Sequence, residues 1–153
     1  MNQDKVKELV SAALNENDSL FLIDLAFSAD NKIKVVVDGD NGVPLSECVR
    51  ISRKIEHNLD REEEDFSLEV TSPDITKPLK VQRQYHKNIN KILKVKTATQ
   101  EYEGALTKVT EDYIVIQWKT REPKPIGKGK HTVEKTATIA YNDIKEATVK
   151  IIF

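Results

Sequence analysis

The spacing of apolar residues changes halfway along the chain, and this change requires two differently built parts. Near the N-terminus the apolar residues recur at helical spacing: Val6, Leu9, Val10, Ala13 and Leu14. Beyond about residue 90 they alternate with polar residues over short segments, as in strands with one buried side. Residues 71–80 contain two prolines, which disfavour regular structure and stiffen a connection. We therefore predict an N-terminal domain in residues 1–80, with its linker at about residues 72–80, and a second domain in residues 81–153.

The N-terminal part predicts an α-β-β-α-β order of elements. After the first helix, residues 20–27 and 32–37 are short apolar runs separated by an Ala-Asp-Asn turn signal, which indicates a hairpin. Residues 48–59 return to helical spacing, and Ser46 is predicted to be the N-cap of that helix. Residues 66–70 then alternate as a strand does. A three-stranded sheet covered by two helices buries all of these apolar faces, which is an α+β arrangement.

Strand patterns dominate the second part. A short polar segment at residues 81–87 has helical character and precedes five candidate strands. These strands cover residues 93–97, 102–109, 114–118, 136–140 and 147–153. Five short strands in about seventy residues predict a small closed or nearly closed β-barrel. Residues 120–135 alternate prolines and glycines with lysines, which predicts a mobile basic loop.

Two separate apolar cores are expected. The first contains Leu9, Val10, Phe21, Ile23, Val35, Val37, Ile51, Ile55, Leu68 and Val70. The second contains Leu93, Val95, Leu106, Ile114, Ile116, Ile139 and Val149. Tyr102, Tyr113 and Trp118 are assigned to the second core rather than to base stacking, because a small barrel needs large apolar side chains. The remaining apolar residues form no long exposed run, so the chain is expected to be a monomer.

The formal net charge of −1 conceals a division between the two parts. Residues 1–82 hold 10 Lys and Arg against 17 Asp and Glu, whereas residues 83–153 hold 14 against 8. An excess of lysine favours a polyanionic partner, since lysines release counterions from nucleic-acid phosphates. The candidate binding residues are Lys77, Lys80, Lys94, Lys96, Lys119, Arg121, Lys124, Lys128, Lys130 and Lys135.

Catalytic signatures are weak throughout the sequence. The single cysteine, Cys48, lies in an amphipathic helical pattern, and none of the three histidines is paired at metal-ligand spacing. No phosphate-binding glycine motif is present. We therefore expect no cofactor, no metal and no enzymatic activity. One alternative stays open, a metal-dependent RNA-processing hydrolase that uses Asp38 and Asp40, although a polar turn also explains these residues.

No signal for export or membrane insertion is visible. The chain has no apolar run approaching eighteen residues, and its first residues lack the basic-then-apolar order of a signal peptide. With one cysteine it forms no internal disulfide. These features predict a cytoplasmic protein.

Segments spread over nearly the whole chain resemble the RimP family of bacterial ribosome maturation factors. The strongest resemblance is in residues 66–73, FSLEVTSP, followed by residues 77–80, KPLK. In the second part, residues 103–106, EGAL, and 139–147, IAYNDIKEA, are similar to the same family. The sequence departs from the usual family pattern where Asp74 replaces a glycine.

The resemblance implies an N-terminal α/β domain followed by a C-terminal SH3-like barrel. It further implies an assembly factor, without enzymatic activity, that binds the immature small (30S) ribosomal subunit. The partners implied are 16S rRNA and the small-subunit ribosomal protein S-twelve, and the ten basic residues above are then candidates for ribosome contact.

Overall fold

The computed structural model describes residues 2–60, 62–63 and 65–151 of the chain. The chain divides into two compact units, residues 1–74 and 75–153, each with its own apolar core. The division falls between Asp74 and Ile75, inside the predicted linker. The use of these units as separate domains stays a prediction.

The first unit is a three-stranded sheet with two helices. Its elements are α1 (Gln3–Asn15), β1 (Leu20–Ser28), a short 3₁₀ turn (Ala29–Asn31), β2 (Lys32–Gly39), α2 (Leu45–His57) and β3 (Ser67–Thr71). The sheet order is β1-β2-β3, with β1 antiparallel and β3 parallel to β2. The parallel pairing follows from α2, which carries the chain back so that β3 runs in the same direction as β2. The predicted α-β-β-α-β order and the α+β class are confirmed.

The core of this unit lies between the two helices and the central strand. Its fully buried aliphatic residues come from all three elements: Val6 and Val10 of α1, Ile33, Val35 and Val37 of β2, and Ile51 and Ile55 of α2. Leu68 and Val70 of β3 are half-buried against the same cluster, as expected of an edge strand.

The prediction that Phe21 and Ile23 of β1 are core residues is confirmed for Phe21 and wrong for Ile23. Ile23 has no partner in the β1–β2 register, which pairs Leu22 with Val37 and then Asp24 with Val36. This bulge inserts one residue and moves the side-chain alternation by one position. Consequently Leu20 packs in the core before the bulge, and Leu25 and Phe27 pack against it afterwards. Phe21 is buried, as predicted, although it is not a member of this cluster, whereas Ile23 is only half-buried and is absent from it.

Helix α2 also begins earlier than predicted. Pro44 is its N-cap, with φ −68°, and Ser46 is the second helical residue rather than the cap. The Pro44 carbonyl accepts hydrogen bonds from the backbone N–H groups of Glu47 at 3.0 Å and Cys48 at 3.4 Å. Because the chain is already helical at Ser46, its hydroxyl is not placed to act as the N-cap, which requires a residue just outside the helix.

The second unit is a five-stranded antiparallel sheet preceded by a short helix. Its elements are α3 (Gln82–Lys87), β4 (Ile92–Thr97), β5 (Glu101–Val109), β6 (Tyr113–Pro123), β7 (Lys130–Ala140), a 3₁₀ turn (Tyr141–Asp143) and β8 (Ile144–Val149). The strand order is β7-β6-β5-β4-β8. The number and direction of the strands agree with an SH3-like arrangement, while closure of the barrel stays a prediction. The strand predicted over residues 147–153 instead begins at Ile144 and ends at Val149, and residues 152–153 of the prediction lie outside the described residues.

The predicted basic loop at 120–135 is largely strand, which corrects its length. β6 and β7 stay in register as far as the pair Pro123 and Lys130, so the connecting loop is only residues 124–129. β-branched residues at Thr120, Thr132 and Val133 favour this extension. The turn itself uses the two glycines of the loop, both with φ above +90°.

The second core contains the aliphatic residues predicted for it, whereas Tyr113, which is also predicted for it, is not among its members. Leu93, Val95, Leu106, Ile114 and Ile116 are fully buried, with Ile139 nearly so and Val149 half-buried at its border. Tyr85 of α3 is a further member that the spacing of apolar residues did not reveal.

Gly104 marks the closest packing between β5 and β6. A Cβ atom there would lie 2.5 Å from the Ile116 Cγ2 and 2.7 Å from the Gln117 carbonyl oxygen. Both distances are far below van der Waals contact, so this position accepts no side chain without movement of β6. None of the helices in the described part of the chain has the length and apolar character of a membrane span.

Candidate nucleic-acid interface

The ten candidate basic residues do not form one patch. Lys94 and Lys96 lie on an exposed face of β4, here called the β4 lysine face. Arg121, Lys124, Lys128 and Lys130 lie at the end of the β6–β7 hairpin, in residues 121–130, here called the hairpin tip. The others are Lys119 and Lys135 on the hairpin strands and Lys77 and Lys80 ahead of α3.

Glutamates stand opposite the lysines on the β4 lysine face. The β4–β5 register pairs Lys94 with Glu103 and Lys96 with Glu101. The Lys94 Nζ lies 4.0 Å from the Glu103 Oε1, and the Lys150 Nζ lies 3.2 Å from the same oxygen. On β8, Glu146 lies opposite Lys96, so this face carries three lysines and three glutamates and presents little net attraction to a polyanion.

The hairpin separates its charged residues onto two faces. In an antiparallel pair, residues directly opposite each other share a face. Arg121 therefore lies on one face with Thr132 and Lys130, whereas Glu122 and His131 lie on the other. On that second face the Lys135 Nζ lies 3.0 Å from the Glu122 Oε1. The hydrogen bond from Lys135 is the main reason that the pKa of the Glu122 carboxyl is lowered from its usual value.

Arg121 is held in position by the opposite strand. Its Nη1 donates to the Thr132 Oγ1 at 3.0 Å and its Nη2 donates to the Lys130 carbonyl oxygen at 3.2 Å. The side chain is nevertheless exposed. A guanidinium fixed in this way is ready to contact a phosphate with less loss of side-chain entropy than a free lysine.

The turn of the hairpin carries positive charge without a counter-charge nearby. Lys124, Lys128 and Lys130 are exposed, and none of them forms an ion pair with another residue in the described part of the chain. The Lys124 N–H donates to the Gly129 carbonyl at 3.1 Å and closes the turn. Residues 121–130 hold four Lys or Arg and one Glu, a net charge of +3. The hairpin tip is thus the strongest of the predicted basic sites.

Lys77 and Lys80 belong to a segment that is attached to the second unit. The Leu79 N–H donates to the Ala147 carbonyl of β8 at 2.8 Å. The Gln84 Oε1 accepts from the N–H groups of Lys80 at 2.6 Å and Val81 at 3.0 Å. These bonds fix the backbone at Lys80 and at the residues on either side of it.

The aromatic side chains pack within the unit. Trp118 and Tyr102 have ring centroids 6.0 Å apart, and both lie against the second core, as predicted. Tyr85 and Tyr141 form an edge-to-face pair at 5.4 Å, and burial raises the pKa of Tyr85 to about 12. The Tyr141 hydroxyl donates to the Thr110 carbonyl at 2.9 Å. These rings serve packing and are not arranged as a row of exposed stacking surfaces.

The alternative hydrolase site has few of the features that metal chemistry requires. Asp38 is buried and its Oδ1 accepts from the Gly39 N–H at 2.8 Å, whereas Asp40 is exposed. Residues 2–60, 62–63 and 65–151 contain no group of three or more His, Cys, Asp or Glu placed to hold a metal ion. Burial is the main cause that raises the pKa of the Cys48 thiol, which lowers its content of reactive thiolate.

The glutamates of the β4 lysine face are the site residues that sequence reasoning missed. A usable signal was present, because Lys94 and Lys96 are placed symmetrically to Glu101 and Glu103 about the turn at residues 97–100. A second missed cluster ties α1 to α2, where Arg50 contacts Glu47 at 2.6 Å and Glu16 at 2.8 Å.

Comparison with known proteins gives a consistent result over the whole chain. Residues 9–76 match the family described as the RimP N-terminal domain. A protein of Christiangramia forsetii named ribosome maturation factor RimP is 52% identical over 153 residues and covers 100% of both chains. A protein of the same name from Flavobacterium psychrophilum is 54% identical over 99% of this chain and 98% of its own. The protein of that name from Porphyromonas gingivalis is 37% identical over 99% of each chain.

Proposed function

This chain belongs to the RimP family of ribosome maturation factors, and we propose that it acts on the small (30S) subunit by binding its immature form through 16S rRNA and a ribosomal protein. A role in ribosome maturation follows from the family. The choice of subunit and partners is our proposal, and the resemblance described above supports it.

The hairpin tip is the observation that carries the rRNA part of the proposal. It combines three exposed lysines that lack ion pairs in the described part of the chain with an arginine held by the opposite strand. Such a group attracts phosphates without reading base sequence, because lysine and arginine contacts to the backbone position a protein and do not specify a base. A folded precursor of the subunit would then supply specificity through its shape.

The acidic first part of the chain supports contact with a basic ribosomal protein. Residues 1–82 carry a net charge of −7, which disfavours their lying on RNA and favours a basic protein surface. We propose the small-subunit ribosomal protein S-twelve as that partner, as the family resemblance implies. In this arrangement the two parts of the chain contact different components of the same particle.

We further propose that the protein is a cytoplasmic monomer without enzymatic activity, in which residues 1–80 and 81–153 act as separate domains. Light scattering tests the oligomeric state, and a mass near twice that of the chain at all concentrations would contradict it. Incubation with precursor rRNA and magnesium tests the absence of activity. Cleavage that the Asp38→Ala/Asp40→Ala variant has lost would establish the hydrolase alternative instead.

Sedimentation tests the proposal as a whole. A lysate containing the tagged full-length protein is separated on a sucrose gradient, and each fraction is probed for the tag. We expect the protein in fractions that contain immature small subunits and its reduction in fractions of mature subunits. Absence from every small-subunit fraction would contradict the proposal. Presence that raised salt removes steeply would support phosphate contact.

A further inference from the structure

The two edge strands of the five-stranded sheet, β8 and β7, differ in whether another segment of the chain hydrogen-bonds to them. On the β8 side, the segment before α3 covers the edge, because the Leu79 N–H donates to the Ala147 carbonyl at 2.8 Å. On the β7 side, pairing is with β6 alone, and the described residues supply no further backbone hydrogen bond to residues 131–140. The outer N–H and C=O groups of residues 131–137 therefore have no second backbone partner in the described part of the chain, while the end of β7 at Thr138 and Ile139 lies beside residues 97–99 and 142–145.

The free edge is also long and has the composition of a pairing strand. β7 contains 11 residues, about twice the usual strand length. Its β-branched residues are Thr132, Val133, Thr136, Thr138 and Ile139, and it contains no proline. A long regular edge of this kind is a template for an added strand.

The charge differs between the two ends of β7. At its N-terminal end lie Lys130 and, on the neighbouring strand, Arg121. Beyond Lys135, the residues of β7 from Thr136 to Ala140 are uncharged. An added segment is therefore favoured when its acidic side chains lie beside the hairpin tip and its neutral side chains lie beside the other end.

A cavity lies at that neutral end. It has a volume of about 400 Å³, and Ile139, Tyr102 and Ala98 are its apolar lining residues. The remaining lining residues are polar or charged: Thr97, Thr99, Thr138, Asn142, Asp143 and Lys145. Segments that extend a sheet gain affinity from main-chain hydrogen bonds and specificity from pockets for single side chains. This cavity has the place and size to take one apolar side chain of such a segment.

We propose that the free edge of β7 binds an extended segment of a protein partner as a sixth, antiparallel strand, with acidic residues beside the hairpin tip and one apolar side chain in the cavity at Thr138 and Ile139. The antiparallel direction continues the pattern of the sheet. It places the C-terminal end of the segment next to Lys130 and Arg121, where its charge is attracted. The proposal goes beyond rRNA binding and uses the backbone of β7, which rRNA contact at the hairpin tip does not require.

A synthetic peptide tests this directly on the full chain. The probe is a fluorescein-labelled decapeptide of alternating Thr and Val, with one Phe near its N-terminus and three Glu at its C-terminus. We expect saturable binding, with NMR amide shifts concentrated in residues 130–140. Replacement of the Phe by Ala is expected to weaken binding about fivefold, as loss of an apolar anchor does. Absence of binding at millimolar peptide would overturn the proposal.

Two N-methylated peptides separate main-chain pairing from simple charge attraction. One carries methyl groups on the even-numbered amides and the other on the odd-numbered amides, so that only one of them blocks the N–H groups directed at β7. We expect one methylated peptide to lose binding by about tenfold or more while the other keeps it, because a strand alternates the direction of its N–H groups. Equal behaviour of the two would overturn the proposal.

Variants of the chain test direction and occupant. Arg121→Gln/Lys130→Gln is expected to weaken the peptide about tenfold at low salt, whereas Lys91→Gln, at an exposed lysine just ahead of β4, is expected to leave it unchanged. Light scattering of the free chain tests for a dimer. If the chain is a dimer and β7 is its interface, the edge is occupied by a second copy and the proposal is overturned. Shifts in residues 130–140 caused by rRNA fragments but not by the peptide would overturn it in favour of RNA.

Discussion

The β4 lysine face and the hairpin tip are both basic in sequence but differ in what lies opposite their charges. On the β4 lysine face, neighbouring strands place Glu103 opposite Lys94 and Glu101 opposite Lys96. At the hairpin tip, four Lys or Arg share ten residues with Glu122, which is engaged with Lys135. Strand pairing, rather than lysine content, therefore decides which part of this sheet keeps positive charge without a counter-charge beside it.

Neutralising the hairpin tip is expected to have the largest effect. Lys124→Gln/Lys128→Gln/Lys130→Gln removes three charges and no core contact, so the free energy of unfolding should barely change. Binding to immature small subunits should weaken about 100-fold at moderate salt, and the log–log salt slope should become shallower by roughly two to three. Filter binding over a range of salt concentrations measures both quantities.

One result for this triple variant would contradict the prediction. Residues 124–129 form an exposed turn, and fixing its backbone and lysine side chains on RNA costs conformational entropy that opposes the electrostatic gain. An unchanged affinity with an unchanged salt slope would show that the hairpin tip takes no part in binding. The same particles should be bound in either case, because phosphate contacts position a protein without specifying its target.

Gly104→Ala tests the close packing of β5 against β6, which supports the β4–β5 pair of the β4 lysine face. The added Cβ would meet the Ile116 side chain at 2.5 Å and the Gln117 backbone at 2.7 Å, so β5 and β6 must separate. We expect the free energy of unfolding to fall by about 1–3 kcal/mol, the usual cost of overpacking. Chemical denaturation measures this. Ala105→Ser, one residue away on the other face of β5, is the control and should change stability much less.

Part of this fold follows from the sequence because the signals are local. Periodicity identifies α1, α2 and the strands, and alternation identifies Leu93, Val95, Ile114 and Ile116 as core. The bulge at Ile23 and the extension of the hairpin to Pro123 do not follow, because both depend on the partner strand. The charge balance of the candidate site likewise could not be predicted from local signals, because the strand register determines which residue lies opposite each lysine.

Glu103→Gln removes a counter-charge from the β4 lysine face and so makes this face more like the hairpin tip. Glu103 is within 4.0 Å of the Lys94 Nζ and within 3.2 Å of the Lys150 Nζ. Its replacement leaves both lysines available, so affinity for rRNA should rise about threefold at low salt and the salt slope should steepen by up to about one. Folding should change little, because exposed ion pairs contribute about 0–1 kcal/mol. Glu111→Gln, an exposed glutamate between β5 and β6, is the matched control.

The smallest effect is expected from neutralising the β4 lysine face itself. In Lys94→Gln/Lys96→Gln, Glu103 keeps its contact with Lys150, and the two lysines removed are ones that lie opposite glutamates across the β4–β5 pair. Any lost attraction to phosphate therefore comes from lysines that already have a counter-charge beside them. We expect affinity for immature small subunits to change by less than about threefold, with the salt slope altered by less than about one. The measurement is the same salt series used for the hairpin tip, with both variants on the same preparation of particles. A loss as large as that of the hairpin-tip variant would mean that rRNA displaces Glu101 and Glu103 from their lysines on binding. The β4–β5 pairing of the free protein would then not predict which lysines contact rRNA in the complex. In that case Glu103→Gln should strengthen binding far more than threefold.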